Sequence, residues 1–153
     1  GSGGLQTQSS TRGNFELGPD DAAVLEFSTA GASYCAVQLG DWTFRSLDYE
    51  RIQSSLTTAQ AHADSDGLYR LVISHRDPGV ANWLDTGGLA HVFAFIRWQG
   101  LPPNAGLPHF KWTMTTIGEL DGILPSGTLR LSPEERREQL SARRSAYARR
   151  IAE

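Results

Sequence analysis

The sequence predicts a mainly β protein, an antiparallel β-sandwich with a C-terminal α-helix. From Asn14 to about Ile117, short apolar or alternating segments are separated by turn signals rich in Gly, Pro and Asp. After that point the sequence becomes strongly charged and takes on helical spacing. The length of 153 residues, with 39% hydrophobic residues, gives room for one domain with a substantial core.

Three regions of different composition divide the chain. Residues 1–13 are rich in Gly, Ser, Gln and Thr, which predicts a flexible leader, and the initial GSGG is typical of a cloning remnant. The β-sandwich is expected at 14–127. The C-terminal helix is expected within 128–153, packed on the sandwich or beside it.

Composition and charge limit the classes of function. A net charge of −3 argues against a protein that as a whole binds nucleic acid or a membrane surface. No apolar run approaches the roughly 18 residues of a membrane span. The single cysteine, Cys35, excludes an internal disulfide and fits a reducing compartment, so we predict a cytoplasmic location.

The first predicted strands follow clear turn signals. The turn GPDD leads into AAVLEF (22–27), a short apolar run that suits a largely buried strand. The segment SYCAVQL (33–39) alternates between two faces. Further on, Asp-Ser-Asp-Gly at 64–67 predicts a hairpin between the flanking segments TTAQAHA and LYRLVISH.

The strongest predicted strand is HVFAFIRW (91–98), where apolar residues on both faces indicate a central position in a sheet. The prolines of GLPPNAGLP then interrupt the sheet, and HFKWTMTTI (109–117) alternates again. We expect the core to contain the apolar residues of two of these strands: Leu71, Ile73, Phe93, Phe95 and Ile96.

The clearest helix signal lies at the end of the chain, after a single helical turn predicted in GELDGILP. Ser132 is expected to cap this helix, with Pro133 at the first helical position and Glu135 completing a capping box. A narrow apolar stripe follows at spacings of seven and four: Leu140, Tyr147 and Ile151.

The other faces of this helix carry many arginines. We favour a solvated helix, or one that lies on the protein's own surface, over a nucleic-acid interface. No aromatic stacking residues are interleaved with the arginines, and the chain is acidic overall.

The candidate site centres on SHRDPGVANWLDTGG (74–88), a long polar connection between two apolar strands. His75 is a candidate proton-transfer group and Asp77 a carboxylate to accompany it. The candidate ligand-binding residues of the segment are Arg76, Asn82, Trp83 and Asp85. Alternatively, the segment is a corner held together by its own side chains, since Asp-Pro-Gly is a turn signal.

A second cluster lies in GDWTFRSLDYERIQSS (40–55), where large apolar side chains alternate with polar ones. We assign Trp42, Tyr49 and Gln53 to ligand binding, in a pocket shared with the 74–88 segment. The alternative is that this segment only covers an open end of the sandwich.

No metal site or cofactor is predicted. The four histidines lack metal-ligand spacing, and the calcium-loop-like start at 64–67 has His75 where the twelfth-position acid should stand. The chain has no Gly-rich phosphate loop. Cys35 lies inside a predicted strand, where a buried thiol is more often inert than nucleophilic.

Three stretches resemble one known family: SYCAVQLGDWTFRSLDYERIQSSL, DSDGLYRLVISHRDPGVANWLDTGG and FAFIRWQG. They are similar to the bacterial domain of unknown function 1214 family, whose actinobacterial branch has a comparable run, and the similarity covers about 14–98. The string HRDPG…NWLDT is its most specific part. The resemblance implies a jelly-roll type of sandwich, often joined to an upstream domain, and it brings no agreed reaction.

The chain departs from the family pattern at several positions. Cys35 stands where tryptophan is usual, and Thr43 replaces a second aromatic residue. Thr57 and Ala81 stand in place of Asn and Pro. These differences imply a pocket of altered shape.

Two functional hypotheses of different class follow. The first is a non-enzymatic domain that binds a small organic ligand or docks on an upstream or partner protein domain. The second is a cofactor-free acid–base enzyme, like a cyclase or isomerase, acting on a small hydrophobic or sugar-like metabolite. Neither involves nucleic acid or membrane, and both leave the oligomeric state open.

Overall fold

The computed structural model describes residues 7–41 and 52–152, which form two four-stranded sheets and one α-helix. In sheet 1 the strand order is β1 (Gln8–Glu16), β7 (His91–Gln99), β3 (Tyr34–Gly40) and β4 (Ser55–Thr57). In sheet 2 the order is β6 (Trp83–Asp85), β5 (Tyr69–Ser74), β2 (Asp21–Phe27) and β8 (Phe110–Thr116). A 3-10 helix (Ile117–Gly122) follows β8, and the helix α1 (Pro133–Ala152) follows later.

The two sheets enclose one apolar core, as the prediction of a mainly β protein with a C-terminal helix requires. Neighbouring strands are antiparallel, except that β5 and β6 run parallel. Of the predicted core residues, Leu71, Ile73 and Ile96 are fully buried between the sheets.

The placement of Phe93 and Phe95 in the core was wrong. Strand β7 is central in sheet 1, as predicted, but its inward face carries the alternate residues, from Val92 to Trp98. Phe93 and Phe95 are half-buried on the outer face, where their rings stack 6.5 Å apart. Because side chains alternate strictly along a strand, only one of two apolar sets can face the core, and composition alone did not identify which.

Part of the flexible leader expected at 1–13 is a strand instead: β1 begins at Gln8 and pairs antiparallel with β7, while residues 1–6 lie outside the described part of the chain. The polar side chains of β1 do not prevent this pairing, since the hydrogen bonds of a sheet are made by the main chain. The strand also packs on the other sheet, because a Cβ at Gly13 would lie 3.2 Å from the Trp112 ring of β8.

The predicted hairpin around 64–67 is present only as a turn. Gly67 has a positive φ of 83° and donates its N–H to the carbonyl of Asp64, and one bridge joins Ala63 to Tyr69. The preceding segment is a turn rather than a strand, apart from Thr57 in β4, which pairs with β3 in the other sheet. Its short polar alternation lacked the apolar side chains that hold a strand on a core.

A second layer covers the outer face of sheet 2. Val24 and Val72 pack there against Leu120 and Leu124, from the 3-10 helix and the residues after it. This layer explains why β2 is buried on both faces. It also confirms the helical turn predicted in GELDGILP.

The helix α1 begins with the predicted capping box. The N–H of Glu135 donates to Ser132 Oγ at 3.1 Å, and the N–H of Ser132 donates to Glu135 Oε1 at 3.0 Å. The helix residues that are buried or half-buried recur at helical spacing: Arg136, Gln139, Leu140, Arg143 and Tyr147. The described part of the face that contacts the sandwich is therefore more polar than the predicted apolar stripe, whose last member, Ile151, has a side chain outside the described part of the structure.

Among the described residues, no helix is both long and apolar enough to cross a membrane.

Replacing Ile96 with Ala should lower the free energy of unfolding by about 2–5 kcal/mol, because the side chain is fully buried and its removal leaves a cavity. The same truncation of Phe95 should cost less, since that ring lies half-buried on the outer face. Urea denaturation of both variants measures the difference. A larger loss for Phe95→Ala would contradict the assigned faces of β7.

Replacing Ser132 with Ala should lower the free energy of unfolding by about 1 kcal/mol, because the cap bond to the Glu135 amide is lost. Ser141→Ala is a matched control on the exposed surface of α1, where alanine is a better helix former than serine. Equal stability of the two variants in denaturation would show that the capping box does not hold the helix start.

Candidate functional site

The segment 74–88 is an ordered corner built around a short strand. Its central residues form β6, which pairs in parallel with β5, so that the segment folds back beside the strand it leaves. Trp83 is only 6% exposed, and its indole N–H donates to Ser74 Oγ at 3.0 Å. Trp83 is therefore a buried anchor of the corner.

Asp77 holds the start of α1 against this corner. Its carboxylate accepts two hydrogen bonds from Arg136, at 3.0 and 3.2 Å. The Arg136 guanidinium also donates to the carbonyls of Val80 and Ala81 and lies 5.1 Å from the centre of the Trp83 ring. Arg136 is 4% exposed, and its charge is matched by these partners.

Sequence reasoning missed Arg136 because it grouped all the helix arginines together. A partial signal was present. Arg136 lies four residues before Leu140 and so borders the apolar stripe, but Arg143 and Arg144 border it as well, so the spacing alone does not single out Arg136.

His75 is engaged at both ring nitrogens. Its Nε2 lies 2.7 Å from the carbonyl oxygen of Leu17, which can only accept, so Nε2 carries the proton. Its Nδ1 contacts the hydroxyl of Thr86. Any proton transfer by His75 would first have to break one of these bonds, and the geometry is that of a tie between the corner and the chain before β2.

Gln53 and Asp85 join the corner to the segment that precedes β4. The Gln53 side-chain amide donates to the Trp83 carbonyl at 2.6 Å, and the Asp85 N–H donates to the Gln53 carbonyl at 2.8 Å. Asp85 also accepts a hydrogen bond from the Gly87 N–H. Burial raises the pKa of the Asp85 carboxyl. Arg76, by contrast, is exposed and pairs with Asp20.

Asn82 connects three segments through its side chain. Its Nδ2 donates to the carbonyls of His62 and Arg70, at 2.7 and 3.1 Å, and its Oδ1 accepts from the His62 N–H at 2.9 Å. It borders a cavity of about 50 Å³ whose wall includes Thr128. Thr128 Oγ1 is buried there with no partner among the described residues. The cavity has room only for water-sized molecules.

The structure thus brings together most of the predicted site residues, and most of them bond to each other or to the main chain. Trp42 and Tyr49 lie outside the described residues, so the pocket expected between them and the corner is not described.

A larger groove lies next to the corner, between α1 and the outer face of sheet 1. Its volume is about 730 Å³. Strands β3 and β4 contribute their outward-facing side chains, and α1 contributes the opposite wall. The side chains that carry its chemistry are Tyr34, Gln38, Ser55, Thr57, Gln60, Arg143, Tyr147 and Arg150.

The groove has a basic character. Arg143 and Arg150 line it, and none of its described lining residues is acidic. Arg143 donates to Ser55 Oγ at 2.8 Å, which fixes the guanidinium over β4, and burial lowers the pKa of Arg143. A second depression of about 310 Å³ lies on the same face of sheet 1. Gln38 lines both the groove and this depression, and Arg97 lines the depression.

Acidic side chains on and beside sheet 2 are paired with Arg70 and His109, away from the groove. Arg70 pairs with Glu26, Asp64 and Asp66 at 2.8 to 3.0 Å, and His109 adds a bond to Glu26 that lowers the pKa of that carboxyl. In the part of the chain that the structure describes, no group of three or more His, Cys, Asp or Glu side chains is arranged to hold a metal ion.

No protein-family model matches the chain, and no curated protein does so. Among solved structures, it is similar to an uncharacterized protein from Burkholderia cenocepacia, with a TM-score of 0.68 and 26% identity. That match covers 76% of this chain and 32% of the other. The VPA0106 protein from Vibrio parahaemolyticus has a TM-score of 0.55 and 18% identity, over 70% of this chain and 31% of its own.

The chain therefore spans about a third of the length of either structure. At 18% identity, the likeness to the Vibrio protein shows the fold alone.

Replacing Asp77 with Asn should lower the free energy of unfolding by about 2 kcal/mol, because the buried Arg136 loses its counter-charge. This is less than for a fully buried pair, since the Asp77 side chain is 35% exposed. Asp20→Asn is the matched control, because its pair with Arg76 is exposed and should contribute at most about 1 kcal/mol. Urea denaturation compares the two variants. Equal losses of unfolding free energy would contradict a larger stabilising role for the Asp77–Arg136 pair.

Proposed function

We propose that this domain binds a small organic anion in the groove between α1 and strands β3 and β4. The observation that carries the proposal is a groove of about 730 Å³ whose described lining includes two arginines and two tyrosines. This volume lies within the range of about 300–1,000 Å³ that is typical of small-molecule sites.

The chemistry of the groove favours a carboxylate or phosphate on a ring-shaped body. A guanidinium presents planar, paired donors that match either anion, and the Ser55 bond to Arg143 orients those donors in advance. Tyr34 and Tyr147 supply aromatic surface with a hydroxyl at the tip. The amides of Gln38 and Gln60 add donors and acceptors for a polar substituent.

The family, the fold type, the cellular location and the partner domain are part of the same proposal. We place the chain in the domain of unknown function 1214 family, as a jelly-roll domain in the cytoplasm that works beside an upstream or partner domain. The matches cover only 32% and 31% of the two similar proteins, which supports the multidomain part of this proposal. The support for the family is the similarity of the HRDPG…NWLDT string itself, whose residues Asp77, Asn82 and Trp83 make structural contacts in this fold.

The alternative of a cofactor-free acid–base enzyme centred on His75 and Asp77 stays a prediction. Both ring nitrogens of His75 and the Asp77 carboxylate are already engaged within the protein. No geometric observation favours catalysis at this position over the structural role.

The test is a thermal-shift screen of organic carboxylates and phosphates, followed by calorimetric titration of those that raise the melting temperature. Arg143→Gln should weaken binding about 10- to 100-fold, the loss expected for a hydrogen bond between charged groups. Arg144→Gln is the matched control, because it removes the same charge from an exposed position on α1.

Two results would overturn the proposal. One is a screen in which no anion raises the melting temperature of the parent protein. The other is an equal loss of affinity in the Arg143 and Arg144 variants, which would show a general charge effect. Turnover of a bound ligand that stops in His75→Ala, with binding unchanged, would support the enzyme hypothesis instead.

A further inference from the structure

Strand β8 forms one edge of sheet 2, with no described strand beyond it. The N–H of Ser28 donates to the carbonyl of His109 just before β8, and the N–H of Ile117 just after it donates to Asp20. Because bonded pairs recur at every second residue of an antiparallel ladder, the odd-numbered residues of β8 bond to β2. The main-chain groups of the others point to the open edge: Phe110, Trp112, Met114 and Thr116.

This edge lacks most of the features that usually protect an edge strand from pairing. Its sequence FKWTMTT has no proline, and its register with β2 is continuous over all seven residues. Its one charge is Lys111. Phe110 and Met114 belong to the face that points toward the core, yet they are 43% and 52% exposed at the side of the sandwich.

We propose that a second copy of this chain adds to sheet 2 through β8, with a twofold axis at Thr113. In this arrangement the two β8 strands are antiparallel, Trp112 is opposite Met114, and Phe110 is opposite Thr116. All the main-chain groups that point to the edge then find partners. Shifting the register by two residues in either direction leaves some of them unpaired.

The side chains on the core-facing side fit this register. The exposed Met114 of one copy lies against the Trp112 indole of the other, and a thioether beside an aromatic ring is a favourable contact. The twofold axis makes this contact twice. The pairing thus covers an apolar side chain that is half exposed in the single chain.

The charges on the other face also fit. Lys111 of one copy lies opposite Thr115 of the other, whose hydroxyl is 3.5 Å from Glu119 Oε2. A lysine is thereby placed beside a carboxylate. At the twofold axis the uncharged Thr113 side chains of the two copies lie opposite each other. No pair of like charges is opposed along the strand.

A cysteine cross-linking experiment tests both the contact and its register. At Thr113 the two copies form a directly opposed pair without main-chain bonds, in which the Cα atoms are about 4.5 Å apart. This distance suits a disulfide. Thr113→Cys should therefore form a covalent dimer when oxidised glutathione is added to the full chain.

Thr115→Cys is the matched control on the same face of β8. In the proposed register its counterpart lies four residues away along the partner strand, about 13 Å, which is too far for a disulfide. The parent, whose only cysteine is the fully buried Cys35, gives the background. Thr115→Cys should match that background.

Sedimentation equilibrium of the unmodified parent is the second measurement, because it needs no variant. A dimer that forms with rising concentration, together with cross-linking at position 113 alone, is the expected result. A parent that stays monomeric at millimolar concentration would overturn the proposal. Equal cross-linking at 113 and 115 would do so too, because it would show contact without this register.

Discussion

The buried guanidinium of Arg136 is the contact on which the arrangement of the helix depends. A charge that is 4% exposed is tolerated only when it is paired and hydrogen-bonded, and Arg136 meets both conditions through Asp77 and two main-chain carbonyls. These partners all belong to the corner that surrounds Trp83. The corner and the helix therefore fix each other, together with the main-chain bonds from Ala81 to Leu129 and from Leu131 to Gly79. These contacts place Arg143 and Tyr147 at the groove.

The distribution of charge explains how an acidic chain presents a basic groove. The net charge of −3 is a sum over the whole chain, and the two sheets contribute to it differently. On sheet 2, the three carboxylates of Glu26, Asp64 and Asp66 surround the single guanidinium of Arg70, whereas the described lining of the groove on sheet 1 includes Arg143 and Arg150. A net charge limits what a whole protein attracts, but it does not describe a single groove.

The sequence was sufficient for the features set by local rules. The capping box at Ser132, the central position of β7 and the helical turn after β8 follow from spacing and composition alone. Features that depend on the third dimension were missed. The side of the sheet on which Phe95 lies depends on which of the two alternating sets of β7 side chains faces the other sheet. The pairing of Gln8 with Gln99 joins residues that are distant in the chain.

The candidate site shows the same limit. Polar side chains between two apolar strands indicated either chemistry or a tied corner, and residue type does not separate the two. His75 illustrates this, because its bonds to Leu17 and Thr86 are visible only in the folded chain. The groove was harder still to predict, since its walls come from β3, β4 and a helix that starts more than 70 residues later.

The two proposed surfaces lie on opposite sides of the sandwich and are therefore compatible. The contact between Phe15 and Trp112, with ring centres 4.9 Å apart, places β1 beside β8 on one side. The bond from Gln53 to Trp83 places β4 beside β6 on the other side, where α1 also packs. Pairing through β8 would extend sheet 2 away from the helix. Each copy would then keep its groove open, on the side of the sandwich away from the β8 contact.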